Sequence, residues 1–280
     1  MKKLIFVFIL TLLIIQLTTA QNLKVMTYNI RLDLASDKDN AWDIRKDFFN
    51  SQMKFYEPDI FGVQEALPNQ INDLTVNLPE YSHIGIGRDE GGKGEASSIF
   101  FKKNRFKVSN ESTFWLSETP EKSSKSWDAA YPRICTFGLF KDLKTKKTFW
   151  FFNTHLDHIG EVARTKGIEI ILAKIKSVNT KNYPVFFIGD FNSDPDTERI
   201  KNLKKAMTDS RESSESKPFG PSGSFNGFKF NEPVTRLIDY IFIDNSKRIR
   251  IKKYAILSDS INLHFPSDHF PIFVEAEVIK

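Results

Sequence analysis

Cysteine is almost missing: one residue, Cys135, in a chain of 280. That count excludes a disulfide framework and a thiolate-rich metal site. Charge of one sign is lacking too. Against 40 Lys and Arg stand 35 Asp and Glu, leaving +5, too mild a surplus to argue for nucleic acid as a partner. No internal repeat is visible, and no long apolar run follows the first twenty residues. Phenylalanine, by contrast, is plentiful at 26 residues, which supplies the apolar surface of a packed core and argues against disorder.

The N-terminus combines Met1-Lys2-Lys3, an apolar stretch from Leu4 to Ile15, and the small residues Thr18-Thr19-Ala20. This reads as a secretory signal peptide cleaved after Ala20. The apolar stretch falls short of the about 20 residues of a spanning helix, so no stable membrane span is expected. The organisation is therefore a signal peptide over 1–20 and one domain over 21–280, exported to the periplasm or the medium and expected to be monomeric. Cys135, in a strand-like run, reads as a small buried hydrophobe.

Short runs rich in Val, Ile and Phe predict strands at Leu23–Tyr28, Asp59–Val63, Tyr81–Ile86, Ser97–Phe101, Cys135–Phe140, Thr148–Asn153, Val185–Ile188, Leu237–Ile243, Lys252–Leu257 and Pro271–Val278. Helices are expected at Ala41–Tyr56, Pro68–Leu78, Glu161–Val178 and Pro195–Ala206. In the third, Ile168, Ile171, Leu172, Ile175 and Val178 fall on one face. Mixed strands and helices argue for a layered α/β domain. Gly87–Glu95, Ser117–Arg133 and Asp209–Ser224 read as long loops expected to form the walls of a functional site, and the basic clusters, such as Lys102, Lys103, Arg105 and Lys107, as solvated faces.

Gly87 to Lys93 matches the glycine and lysine spacing of a P-loop, but Gly94 stands where Ser or Thr is needed and a strand-like run follows. A glycine-rich turn between strands explains it better. The stronger signal is where apolar strands stop. They run into Asn29, into Gln64-Glu65, into Asn153-Thr154-His155, and into Asp190-Phe191-Asn192. Strand ends of one sheet share a rim, where α/β proteins place ligands. Asp239 interrupts an apolar run, and Ser267-Asp268-His269 precedes the last strand. A carboxylate in an apolar strand needs a partner, and a histidine is the natural one. Oxygen donors such as Glu65, Asp268 and the Asn29 amide suit a hard cation, Mg²⁺ or Mn²⁺. Such a set fits metal-assisted hydrolysis of a phosphate ester, with a carboxylate and a histidine managing protons.

Taken in order, Thr27-Tyr28-Asn29, Gln64-Glu65, Asn153-Thr154-His155, Gly189-Asp190-Phe191-Asn192, Ile238-Asp239-Tyr240 and Ser267-Asp268-His269 resemble the endonuclease/exonuclease/phosphatase superfamily, with its DNase I-like fold. The resemblance runs from Leu23 to Val278. It implies a four-layer α/β sandwich, two face-to-face sheets with helices outside. It also implies roles: Glu65 as main metal ligand with Asn29 and Asp268 near the same ion; Asp190 orienting or deprotonating the attacking water; Asn192 positioning phosphate or nucleophile. His155 resembles the donor to a phosphate oxygen. His269, with Asp239 as orienting partner, resembles a second phosphate-facing histidine that in some members is the general base, so the base stays open between Asp190 and His269.

Other residues carry two readings. Arg133 could hold a phosphate bidentately or make a surface ion pair. Asn226 lies in a region that helps form the substrate pocket of deadenylase-like relatives. Asp157 and His158 read as supporting groups or solvated loop, His83 and His264 as structural or surface groups, and Trp150 as core. Trp42, Trp115 and Trp127 read as packing residues in preference to stacking surfaces. The reading that leads is an exported phosphodiesterase. The alternatives are a phosphomonoesterase or phospholipase C-type enzyme acting on inositol phosphates or lipid headgroups, and a non-catalytic phosphate-ligand binding protein. Candidate substrates are nucleic acid, nucleotides, lipid headgroups and phosphorylated sugars.

Overall fold

The computed structural model describes residues 22–279. The proposed signal peptide therefore lies outside the described residues. In chain order the elements are β1 (Leu23–Asn29), α1 (Trp42–Tyr56), β2 (Ile60–Gln64), α2 (Pro68–Asn77), β3 (Tyr81–Ile84), β4 (Gly87–Asp89), β5 (Lys93–Ala96), β6 (Ile99–Lys102), β7 (Phe106–Trp115), β8 (Ile134–Asp142), β9 (Thr148–His155), α3 (Glu161–Val178), β10 (Val185–Asp190), α4 (Glu198–Ala206), β11 (Met207–Asp209), β12 (Asp239–Asp244), β13 (Ile249–Ile256) and β14 (Ile272–Val278).

Twelve of these strands form two six-stranded sheets, ordered β13-β14-β1-β2-β6-β3 and β11-β12-β10-β9-β8-β7; β4 and β5 form a separate ribbon. The strands are apolar on both faces because both faces are covered. Along β1, Leu23 and Val25 enter the core between the sheets, while Met26 and Tyr28 turn outward onto Trp42, Phe49 and Met53 of α1 and Leu74 of α2. Along β9 and β10, Phe149, Phe151, Phe186 and Phe187 are all fully covered or nearly so. Burying one such ring removes enough apolar surface to contribute about 1.5–3 kcal/mol. In α3, Ile168 and Ile171 are buried and Leu172, Ile175 and Val178 pack at the edge of the same core, as the periodicity requires. The result is the expected four-layer α/β sandwich, helix–sheet–sheet–helix.

The sheets are held at close range by side-chain amides. Asn153 Nδ2 donates to the carbonyls of Val63 and Ser98, each at 2.9 Å. Gln64 Nε2 donates to Asn153 Oδ1 at 2.7 Å and to Thr27 Oγ1 at 3.0 Å. Opposite Asn153 sits Gly62, where a Cβ would lie 2.5 Å from Asn153 Cγ and 2.7 Å from Ile188 Cδ1. No larger residue fits this contact between the sheets.

Several elements differ from the expectation. Asp239 opens β12 and does not interrupt it, because Leu237 and Ile238 precede the strand. This puts the carboxylate at the rim. β7 is an edge strand with a bulge between Ser109 and Ser112, and its polar outward residues hide it from an apolar-run search. The Gly87–Glu95 stretch forms most of the β4–β5 ribbon. Much of Asp209–Ser224 lies along the open edge of β13, where Glu215 N–H donates to Ile251 O and Phe219 N–H to Tyr254 O. This shields an edge that would otherwise invite pairing. Arg105 is not on a solvated face: it is buried and paired with Asp59 at 2.6 Å and Asp142 at 2.9 Å.

Candidate active site

The polar residues at the strand ends converge. Asn29 is the last residue of β1 and lies beside Gln64 in register; His155 ends β9 beside Asp190, which ends β10; Asp190 in turn faces Asp239. Glu65 follows β2, and the chain segment entering β14 brings in Asp268 and His269. Two of these residues need uncommon backbone: Glu65 has φ 63° and Asn192 φ 45°. Left-handed conformations at residues with a Cβ tend to cluster where the surrounding structure holds a functional side chain in place.

Glu65, Arg133, His155, Asp190, Asn192, Asp268 and His269 border one cavity of about 640 Å³. Asn29 and Asp239 sit just behind it. Asn29 Nδ2 donates to Glu65 Oε1 at 2.9 Å and to Asp190 Oδ2 at 3.0 Å. Its Oδ1, the atom expected to face the ion, accepts from Arg31 N–H at 3.0 Å. Between two carboxylates the donor end of the amide is the electrostatically favoured one. His269 Nδ1 lies 2.8 Å from Asp239 Oδ2, so the dyad expected from the sequence is formed. Ser224 Oγ donates to that same oxygen at 2.6 Å. His269 Nε2 is 3.8 Å and His155 Nε2 3.5 Å from Asp190 Oδ2. Asn192 holds Asp190 by its N–H at 2.8 Å and its side-chain amide meets His155 Nε2 at 3.0 Å.

Burial and charge tune these groups. Burial, then the neighbouring Asp239 carboxylate, push the Asp190 pKa up to about 7, against the opposing charge of His269. For His269 burial disfavours the charged ring, but the charge of Asp239 and its hydrogen bond prevail and raise the pKa to about 10. His155 moves the other way: burial, then Arg133 and Arg88, hold its pKa well below the usual imidazole range. The Asp268 carboxyl is raised by burial, against the nearby His269. At neutral pH the site thus holds one charged and one neutral imidazole.

Two groups of donors suit a divalent cation. One is the expected set of Glu65, Asn29 and Asp268. The other is Asp190, Asp239 and His269, whose donor atoms all lie within 4.8 Å of one another. In the second set His269 Nδ1 and Asp239 Oδ2 already meet at hydrogen-bond distance, so it reads better as a proton-sharing group. The carboxylate-rich first set fits a hard cation.

Arg133 is buried, so its ion pair is not the surface pair that one reading allowed. Its Nε pairs with Asp157 at 3.2 Å and its Nη2 meets His158 Nδ1 at 2.9 Å, while Nη1 is buried without a partner. Asp157 is a supporting group: it also accepts from the backbone N–H groups of Ala130, Tyr131, Ile159 and Gly160. Asn226 does not reach the cavity. Its amide donates to Ser267 O and accepts from Phe228 N–H, and its own N–H holds Asp268 O, so it fixes the Asp268–His269 segment from behind. Trp42 and Trp115 are packing residues; Trp127 is partly exposed and outside the cavity lining. Arg88, Glu95 and Tyr131 come from two of the stretches expected to wall the site, while no residue of Asp209–Ser224 lines it; Arg31 and Phe225 line it without having been expected. Arg31 stands two residues past Asn29, and Arg88 lies inside the glycine-rich match set aside as a turn, which were the available signals.

A protein-family model described as the Endonuclease/Exonuclease/phosphatase family matches residues 26–269. The chain belongs to that family. Its members are hydrolases acting on phosphate esters, and so is this protein. They typically use a divalent metal. Among solved structures, the chain is 37% identical to a mannosyl-6-phosphatase of Bacteroides thetaiotaomicron, with 91% of this chain and 99% of that one covered and a TM-score of 0.86. It is 34% identical to an endonuclease/exonuclease/phosphatase of Bacteroides vulgatus, covering 92% and 99%, also at 0.86. An uncharacterized protein of Acanthamoeba polyphaga mimivirus, L388, is 25% identical over 83% of this chain and 91% of its own.

Proposed function

We propose that this family member is an exported, divalent-metal-dependent phosphomonoesterase acting on a phosphorylated sugar. The observation that carries the reading is the buried, unpartnered Nη1 of Arg133 in the cavity wall. A buried donor without a partner is costly, and a terminal phosphate supplies the missing acceptor. Arg31 and the charged His269 border the same cavity, which suits a group bearing about two negative charges. Its volume of about 640 Å³ falls within the roughly 300–1,000 Å³ range of small-molecule sites. The likeness to a mannosyl-6-phosphatase supports a sugar as the esterified alcohol. The diester expectation gives way here to the monoester alternative. Export rests on the basic and apolar N-terminal pattern.

In this reading Asp190 takes the proton of the attacking water, since a carboxyl poised near neutrality suits a general base. His269, whose pKa Asp239 helps raise to about 10, donates to a phosphoryl oxygen. Neutral His155 accepts at Nε2 from the Asn192 side-chain amide, whose residue also holds Asp190 by its N–H, so Asn192 keeps both in place. A divalent cation bound by the Glu65 and Asp268 carboxylates would offset the charge on the phosphoryl oxygens, with Asn29, which presents Nδ2, orienting Glu65. The test is hydrolysis by the 21–280 chain of sugar monophosphates, inositol phosphates and p-nitrophenyl phosphate, read as phosphate release, and of bis-p-nitrophenyl phosphate and DNA, read as p-nitrophenol release and strand cleavage. Sugar monophosphates should be the best substrates, with activity lost in EDTA and restored by Mg²⁺. Faster hydrolysis of the diester or of DNA would sink the monoester reading.

A further inference from the structure

We infer that one wall of the cavity, formed by Arg88, Glu95 and Tyr131, reads the hydroxyl groups of the leaving alcohol and turns away substrates with a second phosphate. The inference rests on the phosphomonoesterase reading of the site. Arg88 and Glu95 come from the two strands of the β4–β5 ribbon and pair through both oxygens, at 3.0 Å and 2.5 Å. Their side chains are only 10% and 15% exposed, yet both border the cavity. The Arg88 guanidinium lies 4.8 Å from the centre of the Tyr131 ring, which stacks on His158 at 5.8 Å. The Arg88 carbonyl accepts from the Trp115 indole at 2.6 Å and from Ser123 Oγ at 2.9 Å. These bonds pin the ribbon to the Ser117–Arg133 loop, so the wall is preorganised.

The chemistry of this wall differs from that of the phosphate end. A phosphate monoester presents acceptors and wants donors, which Arg133 and His269 provide. A carboxylate offers acceptors only and repels phosphate. Sugar hydroxyls both donate and accept, so a flat pair of carboxylate and guanidinium matches two neighbouring hydroxyls. Tyr131 adds a half-exposed aromatic ring beside the Arg88 guanidinium. A ligand that is anionic at one end and a neutral polyol at the other fits both walls. A bisphosphate places its second anion against Glu95.

The test compares kcat/KM on a sugar monophosphate, a sugar bisphosphate and p-nitrophenyl phosphate for the wild type, Glu95→Gln and Tyr131→Ala. Glu95→Gln should lower the ratio of sugar monophosphate to p-nitrophenyl phosphate at least tenfold. It should also raise the relative rate on the bisphosphate. Tyr131 is half exposed, so Tyr131→Ala should fold normally and lower the first ratio in the same direction. Equal losses on all three substrates, or unchanged ratios in both variants, would overturn the inference. A wild type inert on every monoester is a different failure: it removes the reading of the site, and this inference with it.

Discussion

β1 and β2 form a parallel pair joined through α1, and β9 and β10 form a parallel pair joined through α3. Each pair sits at the centre of its sheet, and each has an antiparallel strand next to it, β14 beside β1 and β12 beside β10. The two halves are built alike, but they end differently. The first pair ends in Asn29 and Gln64-Glu65, amide and carboxylate oxygens that suit a cation. The second ends in His155 and Asp190, an imidazole kept neutral and a carboxyl poised near neutrality. The arrangement supplies rim positions, and a few residues at each strand end decide the chemistry. The halves are also stitched together, since Asn29 donates to Asp190 and His269, carried in ahead of β14, pairs with Asp239 at the start of β12.

Variants should separate the halves. Asp190→Asn should have the largest effect, a fall in kcat of about 10²–10⁴-fold, the range for a lost general base, with no change in the Mg²⁺ concentration needed for half-maximal rate. Glu65→Gln should instead weaken metal affinity by about 10–100-fold, the scale of a disturbed metal site, and excess Mg²⁺ should recover much of the activity. A metal titration of both variants checks the division, and identical responses would erase it. Gly62→Ala probes the contact between the sheets. Overpacking typically costs about 1–3 kcal/mol, measured by urea unfolding, with a loss of activity from both halves together.

Asp157→Asn should have the smallest effect and depend on pH. Burial alone would raise the Asp157 pKa, but backbone N–H donors from Gly160 and Ile159 and the charge of Arg133 outweigh it and set it at about 2. The folded-state pKa is below the unfolded one, so the carboxylate stabilises the fold above pH ~4 and loses that contribution as pH falls towards about 2. The variant should therefore melt below the wild type at pH 7, with the gap closing in acid. A gap independent of pH would show that packing, not charge, is what Asp157 supplies.

Much of the site was legible because buried strands write a clear signal: an apolar run stopped by one polar residue. Glu65, His155 and Asp190 were found that way, His269 from its place just ahead of the last strand, and α3 from its single apolar face. The missed parts lack that contrast. β7 exposes its polar side to solvent, and β11 has three residues. Arg88 and Tyr131 lie in stretches expected to wall the site, but which side chains face inward depends on tertiary hydrogen bonds such as Trp115 to Arg88. Asn226 misled for the opposite reason: a polar residue near a site can be spent wholly on main-chain groups.

The bond of Asn153 across to Val63 and Ser98, with Gly62 beneath it, has a consequence for how such an enzyme changes over generations. The clearance between the two strand pairs is gauged by one side-chain amide set against two main-chain carbonyls and the bare α-carbon of Gly62, so Asn153 and Gly62 would have to change together. A lineage cannot enlarge its substrate by prising the sheets apart one residue at a time. Novelty has to come from the perimeter, where the ribbon and the Ser117–Arg133 loop can be rewritten while the chemistry beneath stays in register.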